Sequence, residues 1–166
     1  TKFNLIGYDQ NKKMIELAKK KIKQIKIKKK ISLQFKVKDI IKIKKFKKAN
    51  LFYSILLLPF LRFKEKNSLL EKISKSLQED GALICVDKIR STNSKFEDIF
   101  TQLYVDFKIR KKLSPEEIIK KAKSLRSSMY LMSEIQTKKL LKNNGFKNFE
   151  IFFRCFNFIG YIATKD

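Results

Sequence analysis

The chain has 166 residues, 43% of them hydrophobic, and a formal net charge of +24: enough apolar material for one domain with its own core. It has two cysteines and no histidine, so a histidine-completed metal centre is excluded. The longest apolar run, residues 51–61, is broken by Tyr53, Ser54 and Pro59 and falls short of the ~20 residues that a membrane span needs.

The first run, Phe3-Asn4-Leu5-Ile6-Gly7-Tyr8-Asp9, is continuously apolar until it stops at a carboxylate, as a strand of a parallel sheet covered on both faces does. Ligands of such sheets sit beyond the carboxyl ends of the strands, which is where Asp9 stands. An aspartate there also serves as a turn or capping residue. Asn11 is a good N-cap, and Met14, Ile15, Leu17, Ala18, Ile22 and Ile25 recur at helical spacing, predicting a helix with one buried face. Residues 31–38 alternate apolar and polar as a half-exposed or edge strand does, and close on Asp39. Asp39 followed by Ile40 suits a place where such folds grip an adenine by one polar and one apolar contact.

Residues 51–58 are apolar enough to be the central strand, ended by Pro59. A helix over about 65–77 puts Leu69, Leu70, Ile73 and Leu77 on one side. Glu79-Asp80-Gly81 is expected to turn the chain into a buried strand over 82–86 that closes on Asp87. Strands alternating with helices over short connections predict a parallel α/β sheet. The alternation then pauses for a helical insertion at about 92–130. Phe96, Ile99, Phe100, Leu103 and Phe107 mark one helix, and Ser114-Pro115-Glu116-Glu117 opens another with a capping box and a first-turn proline. Ser133 and Gln136 form a second capping box, whose helix ends at Gly145. Residues 149–156 and 158–164 are joined with almost no linker and must be antiparallel neighbours.

Of the 40 basic residues only five are Arg, and residues 19–48 hold fifteen Lys against the single acid Asp39. A surface built to read phosphates or bases favours the bidentate fork of Arg. The composition therefore points to a Lys-coated ordinary domain whose nucleic-acid binding is non-specific and salt-sensitive. Cys85 and Cys155 lie in apolar runs and suit free thiols in a reducing cytoplasm.

Several motifs together, Leu113-Ser114-Pro115-Glu116-Glu117-Ile118, Gly145-Phe146 and above all Phe153-Arg154-Cys155-Phe156-Asn157-Phe158, resemble the carboxy-S-adenosylmethionine synthase family. That family lies within the class I S-adenosylmethionine-dependent methyltransferases. The resemblance implies a Rossmann-like α/β fold, mostly parallel with a C-terminal antiparallel pair, in a single domain over 1–166. The chain opens on Thr rather than Met, and the expected first strand-helix unit with its glycine-rich turn lies outside it. The implied cofactor is S-adenosyl-L-methionine or its carboxylated form, and the implied substrate is prephenate. The product serves tRNA wobble-uridine modification, in a cytoplasmic homodimer without a membrane.

By the same resemblance, Asp9 and Gln10 hold the ribose and Asp39 and Ile40 contact the adenine. Ile55, next to Ser54, occupies a cofactor-contacting position where the family has Asn. Ala122, between Lys121 and Lys123, stands where an Arg holds a carboxylate. No catalytic residue is assigned. These departures allow an eroded or inactive member, a methyltransferase of another substrate, or a non-catalytic Lys-rich RNA-binding remnant.

Overall fold

A computed structural model describes residues 3–25 and 31–165, and the chain falls into two compact units, Thr1–Lys45 and Phe46–Asp166. Lysines 26 and 28–30 of the Lys-rich stretch lie outside the described residues.

In the first unit β1 (Phe3–Asp9) and β2 (Ile31–Val37) pair in parallel, with Phe3 opposite Ile31 and Asp9 opposite Val37. Gly7 lies opposite Phe35, and a Cβ on it would come within 2.9 Å of that ring; the glycine lets the aromatic side chain lie flat across the strand. Helix α1 (Lys12–Lys23) starts where the Asn11 side chain accepts from the Lys13 amide at 2.9 Å. Its apolar face is narrower than the sequence spacing predicts. Only Ile15 is buried, Ala18 and Ile22 are half-buried, and Met14, Leu17 and Ile25 are exposed. Two strands less than 5 Å apart offer a ridge about one side chain wide, so one apolar residue seats on it and its neighbours overhang.

In the second unit β3 (Ala49–Ile55), β4 (Leu77–Lys88), β5 (Asn148–Cys155) and β6 (Phe158–Thr164) form a sheet of order β3-β4-β6-β5. Strands β3 and β4 are parallel, while β6 runs antiparallel to β4 and β5. The 51–58 run, expected to be central, is the edge strand β3, and Tyr53 and Ile55 are exposed. Its apolar character resembles that of a doubly covered strand, but among the described residues one side has no hydrogen-bonded neighbour. Nor does Glu79-Asp80-Gly81 turn the chain. It bulges out of β4, so that Leu77 to Ala82 spans what Ala49 to Leu51 spans on β3.

Helices α2 (Phe63–Ser76) and α5 (Glu134–Asn143) bury Leu69, Leu70, Ile73, Leu140 and Leu141. Leu83 and Cys85 of β4 and Ile159 and Tyr161 of β6 are fully buried in the same unit. Between β4 and α5 come α3 (Ser94–Arg110) and α4 (Pro115–Leu125). No residue of α3 is buried, and Phe96, Leu103 and Phe107 are exposed. Both capping boxes form: Ser114 Oγ accepts from the Glu117 amide at 3.2 Å, and Ser133 Oγ accepts from the Gln136 amide at 3.2 Å. Gly145 takes φ +87° past the end of α5, as a left-handed C-cap requires. Among the described residues no helix is long and apolar enough to cross a membrane.

Candidate functional site

The first unit brings four of the five expected site residues to one edge. Parallel pairing in register ends β1 at Asp9 and β2 two residues before Asp39, and the Lys38 amide donates to the Asp9 carbonyl at 2.9 Å. Asp9 is half-buried, and its Oδ1 accepts from the Asn11 amide at 2.7 Å. The carboxylate is thus held by a local turn, with Oδ2 on the far side of the fork. Gln10 follows, exposed. Asp39 Oδ1 accepts from the Ile41 amide at 3.0 Å, capping a short 3-10 turn over Ile40–Lys42, and Lys42 Nζ stands 4.0 Å from Oδ2. Ile40 is half-buried beside it. Two oriented carboxylates and one apolar side chain at the ends of adjacent parallel strands fit the donors of a ribose and the edge of a purine.

Ile55 belongs to the second unit. It ends β3 opposite Val86 and is 66% exposed. It supplies an apolar surface and no hydrogen bond. Leu56 after it has φ 52°, a left-handed conformation costly for a branched side chain, fixed by its amide donating to the Val86 carbonyl at 2.7 Å. Ala122 is exposed on α4 between exposed Lys121 and Lys123.

The second unit also contains a buried polar row that sequence reading missed, apart from the bare strand-end acid Asp87. Ser54, Cys85 and Tyr161 face one another across β3, β4 and β6, with Asp87 two residues beyond Cys85 on the same face. Asp87 is 4% exposed; its Oδ2 accepts from the Tyr161 hydroxyl at 3.0 Å, while Oδ1 has no partner. Burial pushes this carboxyl up to about 7, against the opposing pull of Tyr161 and Lys66. The same burial raises the Cys85 thiol and the Tyr161 phenol. Lys66 of α2 is 3% exposed and donates to the Tyr130 carbonyl; burial lowers its pKa while Asp87 raises it. A polar residue among apolar neighbours every second position, as at Asp87, was the one available signal; Lys66 gave none. Among the described residues no group of three acids and cysteines could hold a metal.

No protein-family model matches the chain. Among curated proteins it is similar to the carboxy-S-adenosyl-L-methionine synthase of Sulfurimonas denitrificans, 34% identical over 164 residues, covering 99% of this chain and 68% of that one. The protein of the same name from Campylobacter hominis is 30% identical over 165 residues, covering 98% and 68%. That of Staphylococcus epidermidis is 34% identical over 121 residues, covering 73% and 53%. The chain thus spans from about half to just over two thirds of the length of these relatives. Among solved structures, magnesium protoporphyrin IX methyltransferase of Synechocystis, with bound SAH, superposes at TM-score 0.61 with 17% identity, over 97% of this chain and 63% of that one. Human N-acetylserotonin methyltransferase in complex with SAM gives 0.59 at 15% identity, over 99% and 40%. The fold is therefore the Rossmann-like fold of the S-adenosylmethionine-dependent methyltransferases.

Proposed function

Since the chain belongs to the carboxy-S-adenosyl-L-methionine synthase family, we propose that it takes part in converting S-adenosylmethionine and prephenate into carboxy-S-adenosylmethionine for tRNA wobble-uridine modification. The observation that carries this reading is the pair of carboxylates, Asp9 and Asp39, at the ends of neighbouring parallel strands, in a chain matched to that family over almost its whole length. Bound S-adenosylmethionine would supply the sulfonium-activated methyl group on which carboxylation takes place. Asp9, fixed by the Asn11 amide, would accept from the ribose hydroxyls, with Gln10 beside it. Asp39 would accept from the adenine amino group while Ile40 covers the ring face; Ile55 would add apolar contact only. Ala122 offers no cation, so carboxylate recognition there falls to the flexible Lys121 and Lys123, point charges in place of a fork. A single domain, a homodimer and a cytoplasmic setting belong to the same proposal.

A charge-assisted hydrogen bond is worth ~1.5–3 kcal/mol. Asp9→Ala should therefore weaken S-adenosylmethionine binding roughly ten- to a hundred-fold in titration calorimetry. Unchanged affinity would remove Asp9 from the ribose role.

The +24 charge favours a second, weaker activity: adhesion to RNA through Lys contacts that release counterions without reading bases. Such binding should fall steeply between ~50 and ~200 mM salt and show no preference for one tRNA over bulk RNA in competition. A clear preference at ~0.15 M salt would make RNA recognition the primary role.

A further inference from the structure

A pocket of about 490 Å³ opens in the second unit between α2, the segment around 130–132 and α5. Phe63, Leu131, Met132 and Leu140 form its apolar walls, Lys66 and Lys139 line it as well, and among the described residues no carboxylate does. Behind it, sharing Lys66, Tyr130, Met132 and Leu140, is a chamber of about 20 Å³ lined also by Asp87 and Tyr161. That is room for about one water molecule.

Lys66 stands at the junction of the two spaces. It is nearly fully buried, its Nζ donates to the neutral Tyr130 carbonyl, and among the described residues no carboxylate lies within ion-pair distance of it. A buried cation is ordinarily paired. Asp87 is the nearby candidate, but its carboxyl holds a proton up to about neutrality and directs one oxygen to Tyr161. Its other oxygen is buried and without a partner, and Asp87 lines the chamber able to hold a water. Lys66 is thus left without an ion-pair partner where it lines the pocket. One buried cation in a mainly apolar pocket selects one negative charge on an apolar body, and Lys139 at the rim attracts anions without being desolvated.

We propose that this pocket binds a small aliphatic or aromatic monocarboxylate, its carboxylate on the Lys66 ammonium and its body against Phe63, Leu131, Met132 and Leu140. The site lies wholly within the second unit and uses none of the residues assigned to the nucleoside, so it stands or falls independently of that reading.

The test uses nucleoside-free protein at ~0.15 M salt, where the general attraction of a cationic surface is screened. 3-Phenylpropionate and its neutral analogue 3-phenylpropanol are titrated while the methionine methyl resonances are followed by NMR. Met132 reports the pocket and Met14 the first unit. A saturable shift at Met132 and none at Met14 is expected, with the acid bound ~10- to 100-fold more tightly than the alcohol. Lys66→Met should abolish that preference, and Lys139→Met should change it less than ~3-fold. Should Lys66→Met fail to fold, Leu131→Trp, which puts a bulky ring where the ligand body would lie and keeps Lys66, should weaken the Met132 response to the acid at least ~10-fold. Equal affinity for acid and alcohol, a shift shared by Met14, a preference that survives Lys66→Met, or a response that Leu131→Trp does not weaken would each overturn the proposal.

Discussion

Raising the pH from 5 to 8 should lower the melting temperature of this protein by ~6–12 °C, and Asp87→Asn should flatten that dependence. The sign follows from the carboxyl's two environments. Folded, Asp87 titrates at about 7, against an ordinary 3.8. Between those values the unfolded chain has released the proton that the folded chain retains, so stability is full below ~4, falls as pH rises through the window, and levels off above ~7. At ~1.4 kcal/mol per pH unit the full window is worth about 4 kcal/mol, of which ~3 lies above pH 5. The chain has no histidine, and ordinary carboxylates and lysines titrate outside this range; because burial also lowers the neighbouring Lys66, the Asn variant is what assigns the slope to Asp87. An asparagine can still accept from the Tyr161 hydroxyl without carrying the charge. A wild type whose melting temperature is flat from pH 5 to 8, or an Asn variant with the same slope, would show that Asp87 is already ionised in the fold.

Leu83→Ala should destabilise the second unit by ~2–5 kcal/mol, whereas Leu5→Ala should cost under ~1 kcal/mol. Leu83 is 0% exposed on β4, an inner strand held by β3 on one side and β6 on the other. Truncating it leaves a cavity that hydrogen-bonded neighbours cannot close. Leu5, on the two-stranded sheet of the first unit, is 46% exposed and loses only part of a transfer energy. Urea melts followed by tryptophan-free probes such as far-UV circular dichroism would separate the two, and equal shifts in midpoint would contradict the contrast in packing.

What the sequence made legible follows from local chemistry. The strand ending at Asp9, the cap at Asn11, both capping boxes and the left-handed Gly145 are each fixed by residues within a few positions, and each forms as expected. What was not legible depends on distant partners. Nothing in 51–58 distinguishes an edge strand from a central one. The exposure of Met14 and Leu17 depends on how wide a surface meets α1. The bulge at Glu79-Asp80-Gly81 has the composition of a turn, and only its continuation against β3 makes it strand. Lys66 and Tyr161 meet Asp87 across α2, β4 and β6, with Asp87 and Tyr161 74 positions apart in the chain; a lysine is assigned to solvent by default, and here that default fails.

The position of Cys85 gives the chain a built-in clock. The thiolate is the reactive form of cysteine, and Cys85 is 0% exposed with its thiol held protonated by the burial around it. Cys155 is only half-buried on β5. An alkylating reagent therefore marks Cys155 from the native protein but reaches Cys85 only in molecules whose β4 has come away from β3 and β6. Each second label on a chain records one opening of the sheet, so the mass spectrum of a partly alkylated sample measures how often the core breathes.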